Sequence, residues 1–195
     1  MLITIGGCSG AGKTVLARAL EAQLGGCSVL ALDSYYHAQA GLALEQRALQ
    51  NYDHPDALDW PLLESHVRSL LNGEPAQAPV YLFDQHTRAP EPELVEPRGV
   101  VLVEGILALH HSRLRDLASV RVFVATAEQE CVRRRLERDV RDRGRTEESV
   151  LQQYRASVHP MALEFVLPSR SHAHVIVSGE RPIEQSVQAV LNYLR

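Results

Sequence analysis

Gly7-Cys8-Ser9-Gly10-Ala11-Gly12-Lys13-Thr14 follows the apolar run Leu2 to Ile5 and leads into a helical pattern, Val15 to Leu24, that Gly25-Gly26 stops. The stretch satisfies G-x-x-x-x-G-K-[ST], and it does so between a strand and a helix, the context that this motif requires. The spacing has a chemical reason. Glycines let backbone N–H groups curl around phosphate oxygens, the start of the helix adds a positive partial charge, the lysine reaches the terminal phosphates, and the threonine hydroxyl suits Mg2+. All eight residues are therefore candidates for holding a nucleoside triphosphate such as ATP. A glycine-rich turn into a helix without a ligand is the ordinary alternative, and the complete match argues against it.

Outward from this loop, short β-branched runs recur at Val29 to Leu32, Val100 to Val103, Val120 to Val124 and Val175 to Val177. Each reads as a buried parallel strand. Helical patterns lie between and after them at Leu62 to Leu71, Glu128 to Val140, Glu147 to Val158 and Pro182 to Leu194. The alternation predicts an α/β fold: a P-loop NTPase-type doubly wound parallel sheet of about five strands, flanked by helices. Gly73 to Arg98 breaks the rhythm with Pro75, Pro79, Pro90, Pro92 and Pro97, and is read as a β-hairpin or loop insertion over one edge of the sheet. With no internal repeat or linker, residues 1–195 are expected to be a single domain.

Composition narrows the class. A chain of 195 residues is short for a multidomain motor, and a net charge of -4 argues against a general nucleic-acid or membrane-surface binder. No apolar run approaches the ~20 residues of a membrane span, and the N-terminus lacks the pattern of a signal peptide, so a cytoplasmic location is expected. Cys8, Cys27 and Cys131 show no C-x-x-C spacing and read as reduced thiols. Nine histidines, including His110-His111 and His172-x-His174, have no acidic or cysteine partner at a ligand spacing. Of the 20 basic residues only Lys13 is a lysine, so no Asn-Lys-x-Asp guanine-reading segment exists. A small-molecule kinase is the remaining P-loop class, and it needs an acceptor and a base.

Asp33 and Glu104 each follow a strand pattern, and strand C-termini face the ligand crevice in a doubly wound sheet. Asp33 is expected to be the base that orients and deprotonates the acceptor hydroxyl, with Glu104, Thr14 and Asp33 around Mg2+. A carboxylate at a strand end is ordinarily a cap or a surface group; the neighbouring P-loop reverses that. Between Cys131 and Arg145 stand Arg133, Arg134, Arg135, Arg138, Arg141, Arg143 and Arg145 against Glu137, Asp139 and Asp142. This is a nucleic-acid patch, a solvated helix face, or a lid over ATP at about 138–146 with Gly144 as hinge. The absence of interleaved aromatic residues disfavours the first, and the P-loop favours the lid.

Taken together, the segments resemble the uridine-cytidine kinases, within the uridine kinase and phosphoribulokinase group of P-loop enzymes. The resemblance rests on Asp33-Ser34-Tyr35-Tyr36, Asn51-Tyr52-Asp53-His54-Pro55-Asp56-Ala57-Leu58-Asp59, Tyr81-x-Phe83-x-x-His86-x-Arg88 and Val103-Glu104-Gly105. It continues through Arg134-Arg135-x-x-Arg138-Asp139, Arg143-Gly144-Arg145, Gln153-Tyr154 and His159-Pro160-Met161. It implies ATP-dependent phosphorylation of the 5'-hydroxyl of uridine or cytidine in pyrimidine salvage. Lys13, Asp33 and Arg138 would be catalytic, Arg143 would lie on the ATP side, and Asp53 with Arg135 would hold the ribose hydroxyls. Tyr36, Tyr52, Tyr81, Phe83 and His86 would line the nucleoside pocket, with Arg145 and Gln153 beside it. A small-molecule partner and a homo-oligomer, commonly a tetramer, are carried over as well, with no nucleic acid or membrane partner.

The chain departs from the family pattern at Leu82, where an aspartate is usual, at His37 for a lysine, and at His174 in an Ala-Asp pair. The first bears on nucleoside selectivity and leaves room for a related kinase acting on another riboside or a sugar phosphate. A non-catalytic ATP-binding regulator that uses the arginines for a polyanion is the reading from a different class.

Overall fold

The computed structural model describes residues 1–195. The chain runs through β1 (Leu2–Gly6), α1 (Lys13–Gln23), β2 (Ser28–Ala31), α2 (Leu44–Ala48) and α3 (Trp60–Leu71), then four short strands, β3 (Ala76–Ala78), β4 (Tyr81–Leu82), β5 (Thr87–Arg88) and β6 (Glu93–Val95). It continues as β7 (Val101–Glu104), α4 (Ser112–Leu117), β8 (Val120–Ala125), α5 (Glu128–Arg143), α6 (Glu147–Gln153), β9 (Val175–Ser178) and a C-terminal helix, Ile183–Tyr193.

Five strands form one parallel sheet in the order β2-β7-β1-β8-β9, as the strand patterns predict. Alternate side chains point to opposite faces of a strand, and this period divides the core in two. Leu2, Val101, Val103 and Phe123 face a cluster with Leu63, Val67 and Leu70 of α3 and Leu114 of α4. Ile3, Ile5, Leu102, Val122 and Val124 face the other cluster, with Leu16 and Leu20 of α1 and Val187 and Val190 of the C-terminal helix. Both faces are covered, which is why the strands read as unbroken apolar runs.

Two expectations are corrected. Strand β2 stops at Ala31, and Leu32 opens a single 3₁₀ turn, Leu32–Tyr35, that carries Asp33 beyond the sheet. The helix expected to end at Val158 continues from α6 to His172 through two wider π-wound stretches, Tyr154–Val158 and Ala162–Val166. Pro160 and Pro168, which look like stops, follow these stretches; a prolyl residue has no N–H to give, and a π-turn absorbs the missing bond.

The insertion is a nested hairpin. An outer antiparallel ladder pairs Ala76 with Val95 and Ala78 with Glu93, and an inner one pairs Tyr81 with Arg88 and Leu82 with Thr87. Arg88 secures the inner ladder to the body: its guanidinium donates to the carbonyls of Tyr36 at 2.7 Å and Tyr35 at 3.0 Å and to Asp59 at 3.3 Å. The turn that bears Asp33 and the hairpin are thereby fixed to each other.

Leu102 lies in the second strand from the β2 edge, wholly buried against the α1 side. Leu102→Ala is expected to lower the unfolding free energy by about 2–5 kcal/mol, by lost transfer and a residual cavity. Urea denaturation checks this, and a loss under ~1 kcal/mol would contradict the packing described.

Candidate active site

The P-loop turns between the ends of β1 and β8. At Gly10 the backbone has φ +83°, and a Cβ there would run into the carbonyl oxygen of Cys131 on α5, so only glycine fits. Lys13 is buried, and its ammonium donates to the carbonyl of Cys8 at 2.9 Å. The Thr14 hydroxyl donates to Glu104 Oε1 at 2.8 Å. Burial pushes the Glu104 carboxyl up, Lys13 draws it back down, and Asp33 is close enough to push it up further. Thr14, Glu104 and Asp33 form an all-oxygen donor set of the kind a hard divalent cation takes. The chain has no group of three or more His, Cys, Asp or Glu side chains placed to hold a metal ion.

Two cavities flank the loop. One, of about 420 Å³, is lined by Gly10, Gly12, Lys13, Thr14, Arg134 and Arg138, by Ser178 at the end of β9 and by Gly179 and Arg181 beyond it. The other, of about 450 Å³, contains Asp33, Asp53, Arg135, Arg143, Arg145 and Gln153 with an aromatic wall. Arg138 belongs to both linings.

The aromatic wall is built from three segments. Tyr36 meets Tyr52 and Tyr81 edge to face at 5.1 and 5.2 Å, and Tyr52 stacks on His86 at 5.3 Å. Phe83 and His86 stand in the β4–β5 turn, where His86 takes the left-handed conformation at φ +49°, uncommon for a residue with a side chain. Burial lowers the His86 pKa, and Arg145 and Arg143 lower it further, so the ring is neutral at pH 7. The Tyr81 hydroxyl is buried without a partner. Leu82 is not in the cavity lining.

Asp53 is buried beside Arg135; burial raises its pKa, and the guanidinium opposes the rise. Arg135 donates to Ser9 Oγ and to Gln153 Oε1, both at 2.9 Å, and so ties the P-loop to α6. Ser9 lines the cavity with the aromatic wall, Gly10, Gly12, Lys13 and Thr14 line the other, and Gly7, Cys8 and Ala11 line neither. Arg143, the last residue of α5, lies 4.4 Å over the Phe83 ring and lines the aromatic cavity.

The arginine block divides by partner. Arg133 pairs with Glu130 and Glu137, Arg134 with Glu130, and Arg141 with Asp142. Arg135, Arg138, Arg143 and Arg145 all approach Asp139. The sequence reading missed Arg134, whose guanidinium donates to the Gly179 carbonyl at 2.9 Å, and the Ser178-Gly179 wall. The end of the last strand pattern was the available signal, since strand C-termini face the crevice. Asp84, at the cavity mouth, carried none.

The sequence model of the "Phosphoribulokinase / Uridine kinase family" matches residues 2–184. A uridine kinase of Ligilactobacillus salivarius is 42% identical over 187 residues, 94% of this chain and 88% of its own length. A uridine kinase of Halalkalibacterium halodurans is 44% identical over 179 residues, 91% of this chain and 85% of its own. Among solved structures, the D-glycerate 3-kinase of Cryptococcus neoformans superposes with a TM-score of 0.62 at 19% identity, covering 93% of this chain and 87% of its own, a likeness of fold. With the match spanning nearly the whole sequence, the chain belongs to the phosphoribulokinase and uridine kinase family.

Proposed function

We propose that this chain transfers the terminal phosphoryl group of ATP to the 5'-hydroxyl of uridine or cytidine, giving UMP or CMP. The observation that carries the reading is the pair of cavities, one at Lys13 and one bounded by Asp33, that share Arg138 as a common wall. Donor and acceptor bound on either side would meet there, and phosphoryl transfer is chiefly a matter of such positioning and charge. The curated uridine kinases similar to this chain support the choice of acceptor.

In this reading the P-loop amides and Lys13 hold the phosphates. Thr14, Glu104 and Asp33 would hold Mg2+, which offsets charge on the phosphate oxygens when bound. Asp33 accepts the proton of the 5'-hydroxyl and aims its oxygen. Asp53 and Arg135 take the ribose hydroxyls, the Tyr36, Tyr52 and Tyr81 rings enclose the base, and neutral His86 reads its polar edge. Arg138 meets the charge that moves between the cavities. The proposal includes a homo-oligomeric, cytoplasmic enzyme; no helix is long and apolar enough to cross a membrane.

An acceptor profile tests the reading. ADP release should depend on uridine or cytidine and be far weaker with 2'-deoxyuridine, because a site that pairs a buried carboxylate with a ribose hydroxyl leaves it unpaired when that hydroxyl is missing. No stimulation by either ribonucleoside would reject it. Asp33→Asn should cut kcat by about 10²-fold or more while ATP affinity holds, the mark of a group that acts on the transition state.

Asp53 gives a test of sign. Its folded-state pKa is raised by burial, so the ionised form costs stability at neutral pH, and the cost disappears as pH falls toward the ordinary aspartate value of 3.8. Asp53→Asn should therefore raise the thermal midpoint at pH 7 while abolishing tight acceptor binding, and the gain should shrink in acid. A lower midpoint at pH 7 would show that the Arg135 attraction outweighs burial.

A further inference from the structure

We infer that Asp139 is a positioning residue: its carboxylate is the shared counter-ion that spaces Arg135, Arg138, Arg143 and Arg145 and limits how tightly they grip phosphate. The inference rests on the site being a phosphoryl-transfer centre. Asp139 is wholly buried. Arg138 reaches its Oδ1 at 2.9 Å and Arg143 at 3.5 Å, while Arg135 and Arg145 face Oδ2 at 3.6 and 3.8 Å.

The spacing follows from the helix. Residues four apart share a face of α5, which sets Arg135 and Arg143 one turn to either side of Asp139. Gly144 then takes φ +62°, and its N–H and that of Arg145 both bond to the Asp139 carbonyl. The turn so formed brings Arg145 back to the carboxylate that Arg143 has already met. One residue thus gathers its four cations through backbone and side chain together.

The contacts are unequal in a way that matters. Oδ2 of Asp139 and Nε of Arg135 are both buried without a hydrogen bond, because their separation is too long for one. Attraction is spread over four guanidiniums with one short bond, to Arg138, the residue common to both cavities. Arg138 can therefore turn toward a phosphoryl group while three other cations continue to compensate the buried carboxylate. Four cations against Asp139 and the neighbouring Asp53 still leave the cluster with an excess of positive charge. Without Asp139 the guanidiniums would repel one another and seek any anion.

Removing the charge should consequently have two effects of opposite sign. Asp139→Asn is expected to lower kcat by at least about tenfold, as the arginines lose their spacing, and to bind inorganic tripolyphosphate about tenfold more tightly, as the cluster loses its internal anion. Titration calorimetry on the full chain reads the second effect without any turnover. A merely structural role predicts weaker binding, so unchanged or weaker tripolyphosphate binding by a folded Asp139→Asn overturns the inference. Asp139→Glu keeps the charge and lengthens the arm; its tripolyphosphate Kd should stay within about twofold of the parent while kcat falls. Should the asparagine variant not fold, an unchanged kcat in Asp139→Glu overturns the inference. A parent protein inactive on every nucleoside would instead reject the assigned reaction and leave the binding comparison decisive.

Discussion

The hydrogen bond from Thr14 to Glu104 joins the first turn of α1 to the end of β7, and the placement of nearly every other group in the site follows from that juncture. It forms because β1 and β7 are parallel neighbours with Ile5 in register with Glu104, so that one strand delivers the P-loop where the other delivers a carboxylate. Strand β2 pairs with the far side of β7 with Ala31 beside Glu104, and two residues later the chain presents Asp33 at the same level. Parallel register, set by buried Val and Leu side chains deep in the sheet, thus fixes the distances between charged groups at its rim.

Charge burial marks the site as clearly as its shape does. Six charged side chains in the molecule are buried, namely Lys13, Asp53, Glu64, Glu104, Arg135 and Asp139; Lys13, Asp53 and Arg135 line the two cavities, and Glu104 and Asp139 accept hydrogen bonds from the lining residues Thr14 and Arg138. A folded chain keeps such groups dry only where partners compensate them, and the raised pKa values of Asp53 and Glu104 show that compensation there is incomplete.

How much of this could be read in the sequence depended on how local the determinant was. The P-loop is contiguous, and its glycines and lysine have their reasons within eight residues, so strand, turn and helix were all legible there. The five strands were legible because burial on both faces leaves an apolar run with little ambiguity. Asp33 and Glu104 could be paired through the rule that strand ends converge. The long helix past Val158 was not legible: Pro160 and Pro168 carry the ordinary signature of a stop, and only packing of the widened turns preserves the helix. The position of Arg143 was not legible either, since the direction of a guanidinium at a helix end is decided by Asp139 and by Phe83, sixty residues away in sequence. The assembly of four arginines on Asp139 was likewise hidden, because composition counts charges and cannot say which anion collects them.

The nested hairpin between Ala76 and Val95 contributes no strand to the five-stranded sheet, yet it supplies Tyr81, Phe83 and His86 to the aromatic wall of one cavity. The cavity at Lys13 is bounded by the sheet and its first loop, whereas part of the other is bounded by an appendage secured by Arg88. Substitutions at the tip of the appendage would therefore reshape the aromatic wall while the central sheet keeps all of its ladders.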